Sequence, residues 1–375
     1  MTEHAARSGA REPDELARQF RHFARTECTG EPLYRALCEL AAGHAGVLRL
    51  LDAASPTQRR PNLLLAAVHH LVLGAARRDA LAGYFPSAGG ERDADASLEA
   101  VFLGFCERWQ SALRERIEHR STQTNEIGRC AVLWPLLRLA ATQSGARDIA
   151  LLDFGCSAGL NLGVDHYRYD YGRFVLAPAG EASAPRIACR LVGDAAPPAE
   201  GDSPRIVQRL GIDVAPIDVR DEAEVQWLRA CLWPHDAVRR ERFDAAVAVA
   251  RAQRWPVERH EDCTAAVERW IEQVPRGVLP ALVNTWVLCY LGADALAEHL
   301  RRMHALVRER GLAWISAEGP SLRIGDETVP ALPADAPTEL RAGSLWTLTL
   351  REAQGSRSQV IARSHPHGKW LQWLA

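Results

Sequence analysis

Between Asp14 and Arg120 apolar residues recur at helical spacing: Leu16, Phe20 and Phe23, then Leu33, Leu37 and Leu40, then Val47, Leu48 and Leu51, with longer runs at Leu63–Leu73 and Leu98–Ile117. This is the period of helices that bury one face, and no stretch here alternates as a strand does. A Gly/Pro/Ser-rich segment, Tyr84–Ser97, reads as a loop. Beyond Ser121 the pattern changes. A helix through Arg129, Leu133, Leu136, Leu137 and Leu139 leads to an apolar strand, Ile149–Phe154, and a helix from about Leu160 to Tyr167. Arg168–Pro204 is irregular, and alternation over Arg186–Val192 predicts an inserted antiparallel hairpin. Strands at Arg205–Asp213, around Val257, at Val278–Asn284 and at Leu312–Ala317 then alternate with helices at Glu222–Arg251 (interrupted at Trp233-Pro234), Thr264–Gln273 and Asp294–Glu309. Leu345–Arg351 and Gln359–Ser364 close the chain as an antiparallel pair.

The pattern predicts a helical cap or lid over residues 1–120 and an α/β domain over 121–375, with the inserted hairpin at about 168–204. Strands alternating with helices imply a parallel, doubly wound, Rossmann-like sheet.

Composition narrows the function classes. The chain has 375 residues, 47% of them hydrophobic, and a net charge of -2, so it carries no electrostatic footprint for nucleic acid or an anionic membrane. Nearly every basic residue is arginine, Lys369 being the only lysine. The N-terminal segment lacks the apolar core of a secretory signal, which points to the cytosol. The longest uncharged run, Val278–Ala293, falls short of the roughly 20 residues that span a bilayer. The nine cysteines are scattered without a Cys-x-x-Cys pair, which argues against a disulfide framework or a zinc site.

The chemistry concentrates at Ile149-Ala-Leu-Leu-Asp153-Phe-Gly155-Cys-Ser157-Ala-Gly159-Leu-Asn161-Leu162. A buried strand ending in an acid, a turn of small residues and a helix start bring backbone amides and a carboxylate against a ligand. The same letters spell the Gly-x-Ser-x-Gly elbow of serine hydrolases, with Ser157 as nucleophile, Asp213 or Asp262 as the acid and His365 or His367 as the base. Against that reading, no strand precedes Ile149 and no His-Gly-Gly oxyanion loop precedes the motif. In the cofactor reading, Gly155 and Gly159 allow close backbone approach, and Ser157 at the middle position suits a ligand without a pyrophosphate. S-adenosylmethionine is such a ligand. Its ammonium suits Asp153, with Asn161 at the start of the helix alongside, and its ribose suits Asp213 at the end of the next parallel strand. Asp262 either accepts from the adenine amino group or caps the helix at Thr264. The polar run Thr122–Glu126, with Thr122 and Asn125, either folds over the site as a lid, or Thr124 or Asn125 simply caps the following helix. Asn284, Trp286 and Tyr290 follow a strand at the edge where substrates of doubly wound proteins bind. Trp286 and Tyr290 offer a face to a sulfonium or pack in the core. His365 and His367 have His-x-His spacing with no third metal ligand in view, so no metal is expected, and His367 is a candidate general base. The candidate catalytic residues are thus His367, Tyr290 and Asn284.

The blocks Thr122–Arg129, Gly155–Leu162 with Asp165–Tyr169, Gly211-Ile-Asp213 with Pro216, Trp233-Pro234 with Arg239 and Arg242, and His367–Trp370 resemble the domain-of-unknown-function 2332 family of bacteria, over almost the whole chain. That resemblance implies a fold of the class I S-adenosylmethionine-dependent methyltransferase type, with a C-terminal antiparallel hairpin. Asn284-Thr-Trp-Val stands where an Asn/Asp-Pro-Pro-Tyr/Phe signature would mark amino methylation, which turns the expectation away from nucleobases. The expected activity is methyl transfer to a small-molecule acceptor, with no nucleic-acid or membrane partner. The alternatives are a non-catalytic adenosyl-ligand-binding protein and, third, a serine hydrolase.

Overall fold

The computed structural model describes residues 3–123, 125–178, 184–199, 201–332 and 336–375, with side chains from Glu15 onward. In chain order the elements are α1 (Glu3–Thr26), α2 (Pro32–Gly43), α3 (Ala45–Leu48), α4 (Pro61–Leu73), α5 (Leu98–Arg108), α6 (Gln110–His119) and α7 (Cys130–Ser144). Then follow β1 (Asp148–Phe154), β2 (Arg168–Asp170), β3 (Val175–Leu176), β4 (Arg186–Ala188), β5 (Arg190–Leu191) and β6 (Arg205–Asp213). The remainder is α8 (Glu222–Ala230), α9 (Ala237–Gln253), β7 (Val257–Arg259), α10 (Cys263–Ile271), β8 (Leu279–Thr285), α11 (Ala293–Arg310), β9 (Ala313–Glu318), α12 (Thr338–Arg341), β10 (Ser344–Glu352), β11 (Gly355–Ser364) and β12 (Trp370–Trp373). No helix of the described residues is long and apolar enough to cross a membrane.

Two compact units form. The first comprises residues 1–124 and 221–241, the second residues 125–220 and 242–375. The first is all-helical, as its periodicity predicts, and it takes in α8 from the later chain. Trp227 of α8 is fully buried in the same cluster as Leu63–Val68 of α4, and Nδ1 of the buried His69 bonds the carbonyl of Ala230 at 3.0 Å. Burial lowers the His69 pKa to about 4, so this imidazole is a neutral core residue.

The second unit is a mixed α/β structure around a nine-stranded sheet of order β5-β12-β11-β10-β9-β8-β1-β6-β7. Strands β7, β6, β1, β8 and β9 are mutually parallel. In chain order that run reads 3-2-1-4-5, the arrangement of a doubly wound sheet whose direction of growth reverses at the first strand. All but the first residue of β1 are buried, so both its faces are covered. Ala150, Leu152 and Phe154 pack with Val267 and Trp270 of α10 and Met303 and Val307 of α11, while alternation sends Ile149, Leu151 and Asp153 to the opposite face. From β9 onward the sheet continues as an antiparallel meander, β10, β11 and β12. The expected closing pair is thus β10–β11, extended by one strand.

Two local expectations are corrected. Leu160–His166 is 3₁₀ rather than α-helical. Its length is set by side chains that clamp it: Asp165 takes a bidentate pair from Arg209, Arg209 also donates to the Leu162 carbonyl at 2.7 Å, and the Tyr167 hydroxyl donates to Leu160. The insertion is also built differently. Its antiparallel pair is β2–β3, β4 joins β2 in parallel, and β5, after a single intervening cysteine, leaves for the edge of the large sheet beside β12. The alternation at Arg186–Val192 was therefore the trace of two short strands in two sheets. Positions 179–183 fall within this insertion and lie outside the described residues.

Candidate functional site

The loop Gly155–Gly159 leaves β1 at the point where the strand order reverses, with β6 on one side and β8 on the other. Three of its residues have left-handed backbone, Gly155 (φ 72°), Ser157 (φ 51°) and Gly159 (φ 66°). A side chain on Gly155 would stand 2.3 Å from Cγ2 of Val287, so the glycine lets the loop after β8 close on the loop after β1. Ser157 is not a glycine, and its strained conformation is held from three sides. Its N–H donates to Asp213 Oδ2 at 2.8 Å, its carbonyl accepts from the Ile217 N–H at 3.0 Å, and its hydroxyl accepts from Asn125 Nδ2 at 2.8 Å.

Asn125 also accepts from the Ala158 N–H at 3.0 Å, so its amide braces the loop with both ends. Thr122 belongs to the first unit, and Thr124 lies outside the described residues. Asp213 spends one oxygen on the Ser157 N–H and the other on the Ala215 N–H at 2.9 Å. Each oxygen keeps a second lone pair. Asp262 is the N-cap of α10, accepting from the Ala265 N–H at 2.8 Å, which realises its capping role.

Asp153 is 1% exposed, and its Oδ2 has no hydrogen-bond partner among the described residues. Burial raises its pKa to about 7, the Asn161 side chain and the Arg129 charge pulling down and the Asp213 charge pushing up. An unsatisfied carboxylate oxygen in the interior is costly unless a cation, a donor or a water reaches it.

Arg129, itself buried, donates from Nη1 to the carbonyl and hydroxyl of Thr285 at the end of β8. Its Nε donates to the Pro366 carbonyl at 2.9 Å. The turn His365–Trp370 therefore lies on the segment Glu126–Arg129, where a Cβ on Gly128 would meet the His367 carbonyl at 2.3 Å. Glu126 accepts from the Gly128 N–H and pairs with Arg242 at 2.5 Å. Distant sequence blocks thus meet above the sheet. In that turn the His367 N–H donates to His365 Nδ1, and Lys369 is exposed beside the buried Trp370.

The other candidates have separate places. Asn284 is fully buried, with Nδ2 donating to Ser316 and Glu318 and Oδ1 accepting from Trp314 Nε1, so it is a core bracket. Trp286 is half-buried and donates to the Ser344 hydroxyl at 2.7 Å. Tyr290 is 65% exposed. Of the hydrolase triad candidates, Asp213 accepts from loop amides, Asp262 from a helix-end amide and His365 from the His367 N–H.

Glu318 is a site residue that the sequence reading passed over. It is the last residue of β9, as Asp153 is the last but one of β1, accepting at Oε1 from Asn284 and from the Val287 and Leu288 N–H groups, with its buried Oε2 unpartnered among the described residues. Burial raises its pKa. The signal was available: an acid closing a wholly buried strand. Among the described residues no group of three or more His, Cys, Asp or Glu side chains is placed to hold a metal ion.

No curated protein matches the chain. A family match covers residues 17–373, nearly the whole sequence, and that family is described as an uncharacterized protein conserved in bacteria. The chain, with its braced glycine loop and its two buried strand-end carboxylates, belongs to the DUF2332 family.

Proposed function

We propose that the second unit binds S-adenosylmethionine at the Gly155–Gly159 loop and that the protein is a methyltransferase acting on a small-molecule acceptor. One observation carries this reading: Asp153 Oδ2, buried without a partner among the described residues beneath a left-handed glycine loop at the reversal point of a doubly wound sheet. An ammonium group is the ligand chemistry such an oxygen accepts, because it supplies both the donor and the compensating charge. Among the cofactors whose binding loops look like this one, S-adenosylmethionine carries an ammonium and no phosphate.

The residues fit that group at two of its ends. Asp153, with Asn161 beside it, would take the amino-acid tail, and the spare lone pairs of Asp213 would take the ribose hydroxyls. Asp262 is spent elsewhere, capping α10 through Oδ1 with its Oδ2 4.0 Å from Arg302 Nη1. When bound, the cofactor supplies an electrophilic methyl group. The chain's own part is to hold an acceptor oxygen or nitrogen in line and dry, and to receive its proton. His367 is the candidate base, in a turn tied through Arg129 to the end of β8.

Calorimetric titration with S-adenosylhomocysteine tests the reading. Micromolar binding by wild type, lost in Asp153→Ala and Asp213→Ala, supports it, and turnover with an acceptor then separates an enzyme from a protein that only binds. Absence of binding by well-folded wild type overturns it.

A further inference from the structure

Beside the same loop a cavity of ≈ 370 Å³ opens between Ala158 and Gly159, the connection that follows β6, and the turn from α9 into β7. Its volume lies in the range of small-molecule sites. Nothing about it depends on the cofactor reading. The wall is apolar where Ile217, Val219 and Trp255 contribute. Trp255 is fixed: its six-membered ring sits on Gly163, where a Cβ would come within 2.4 Å, and Arg209 lies 5.8 Å from its centroid. The flat surface is therefore in place before any ligand arrives.

The lining is cationic on balance, with Arg220, Arg251 and Arg254 against Asp218. Asp218, the acid there, is held by Arg220 through both carboxylate oxygens. Arg251 donates from Nε to the Val219 carbonyl at 2.6 Å, pinning one wall to α9. Arg254 is the informative residue. Its N–H bonds the Ala250 carbonyl and its φ is 54°, so it occupies the left-handed position that ends α9. The corresponding positions after α7 and α11 are Gly145 and Gly311, the residue that adopts this backbone without strain. An arginine there is a poorer helix terminator than glycine. Arg254 is exposed, is one of the residues that line the cavity, and makes no ion pair among the described residues.

The geometry points to a second ligand site in this cavity, for a small anion, carboxylate or phosphate, carried on a flat apolar body. Arg254 meets the charge, and Trp255 meets the body. The Ser157 carbonyl accepts from Ile217, which lines the cavity, so the site shares a wall with the glycine loop.

The test uses the full chain and three probes of similar size: benzoate, phenyl phosphate and uncharged benzyl alcohol. Saturable calorimetric binding of one anion below millimolar, at least tenfold weaker in Arg254→Gly and with no saturable binding of benzyl alcohol, is the expected result. Arg254→Gly is expected to melt no lower than wild type, because glycine relieves the left-handed backbone, so lost binding is not lost folding. Arg254→Asn, which also tolerates that backbone, is the second variant and is expected to lose binding equally. The better-bound anion identifies the headgroup. No saturable binding of either anion, undiminished affinity in both variants, or equal binding of benzyl alcohol would overturn the proposal.

Discussion

Asp153 shows how one buried carboxyl sets a pH dependence. Its folded-state pKa of about 7 stands above the ordinary value of 3.8, so between those limits the folded chain holds a proton that the unfolded chain has released. The penalty for ionising Asp153 is absent below about pH 4, grows as pH rises, and is complete above about pH 7. Stability contributed at this position therefore falls with rising pH, by an amount on the order of a few kcal/mol at 1.36 kcal/mol per pKa unit. Asp153→Asn, which cannot ionise, is expected to flatten that slope and to be more stable than wild type at pH 8, as urea unfolding at pH 5 and pH 8 would reveal. Identical slopes in both proteins would place the ionisation elsewhere. Asp153 was legible in the sequence because an acid ended an apolar strand. Arg254 was not, because nothing in an arginine's identity announces a positive φ.

Among elements, the glycine loop is the one whose sequence and structure agree most closely in position and least in detail. Its place after β1 followed from the apolar run and the small residues. The partners that brace it, Asn125 from before α7, Asp213 from β6, Val287 from after β8, lie far apart in the chain; the polar run expected over the site supplies Asn125, whereas spacing alone did not join Val287 to it. Gly155→Ala combines a left-handed backbone with a clash against Val287 and is expected to destabilise by about 2–4 kcal/mol. Val287→Ala removes the closest contact, at Cγ2, but leaves Cβ at 2.8 Å and the backbone strain in place. The double variant should therefore recover part of the loss, a non-additivity that chemical denaturation would measure. The elements misread, the 3₁₀ stretch and the short strands β2–β5, are those whose form depends on tertiary clamps rather than on periodicity. Two residues of alternation cannot say which sheet a strand will join.

For the whole molecule, hydrophobic period identified α8 and α9 as helices but could not say which core they serve. Residues 221–241 group with the N-terminal helices, and their removal exposes specific defects in that unit. Trp227 leaves the cluster, His69 loses the Ala230 carbonyl, and the buried Glu31 loses His235, which bonds it at 2.8 Å. An unpaired buried carboxylate and a large cavity are each worth several kcal/mol, comparable with the stability of a domain this size. A fragment of residues 1–124 is therefore expected to keep helical circular dichroism yet unfold without a cooperative transition and bind a hydrophobic dye. A sharp thermal transition in that fragment would show that the contiguous segment suffices. The turn between β11 and β12 adds a practical consequence. Lys369 is the chain's only lysine, it is exposed, and its neighbour Gly368 packs on Gly128 beside Arg129. Apart from the α-amino group, an amine-directed fluorophore has one place to attach, so the native sequence already carries a singular labelling handle on the turn that bears His367.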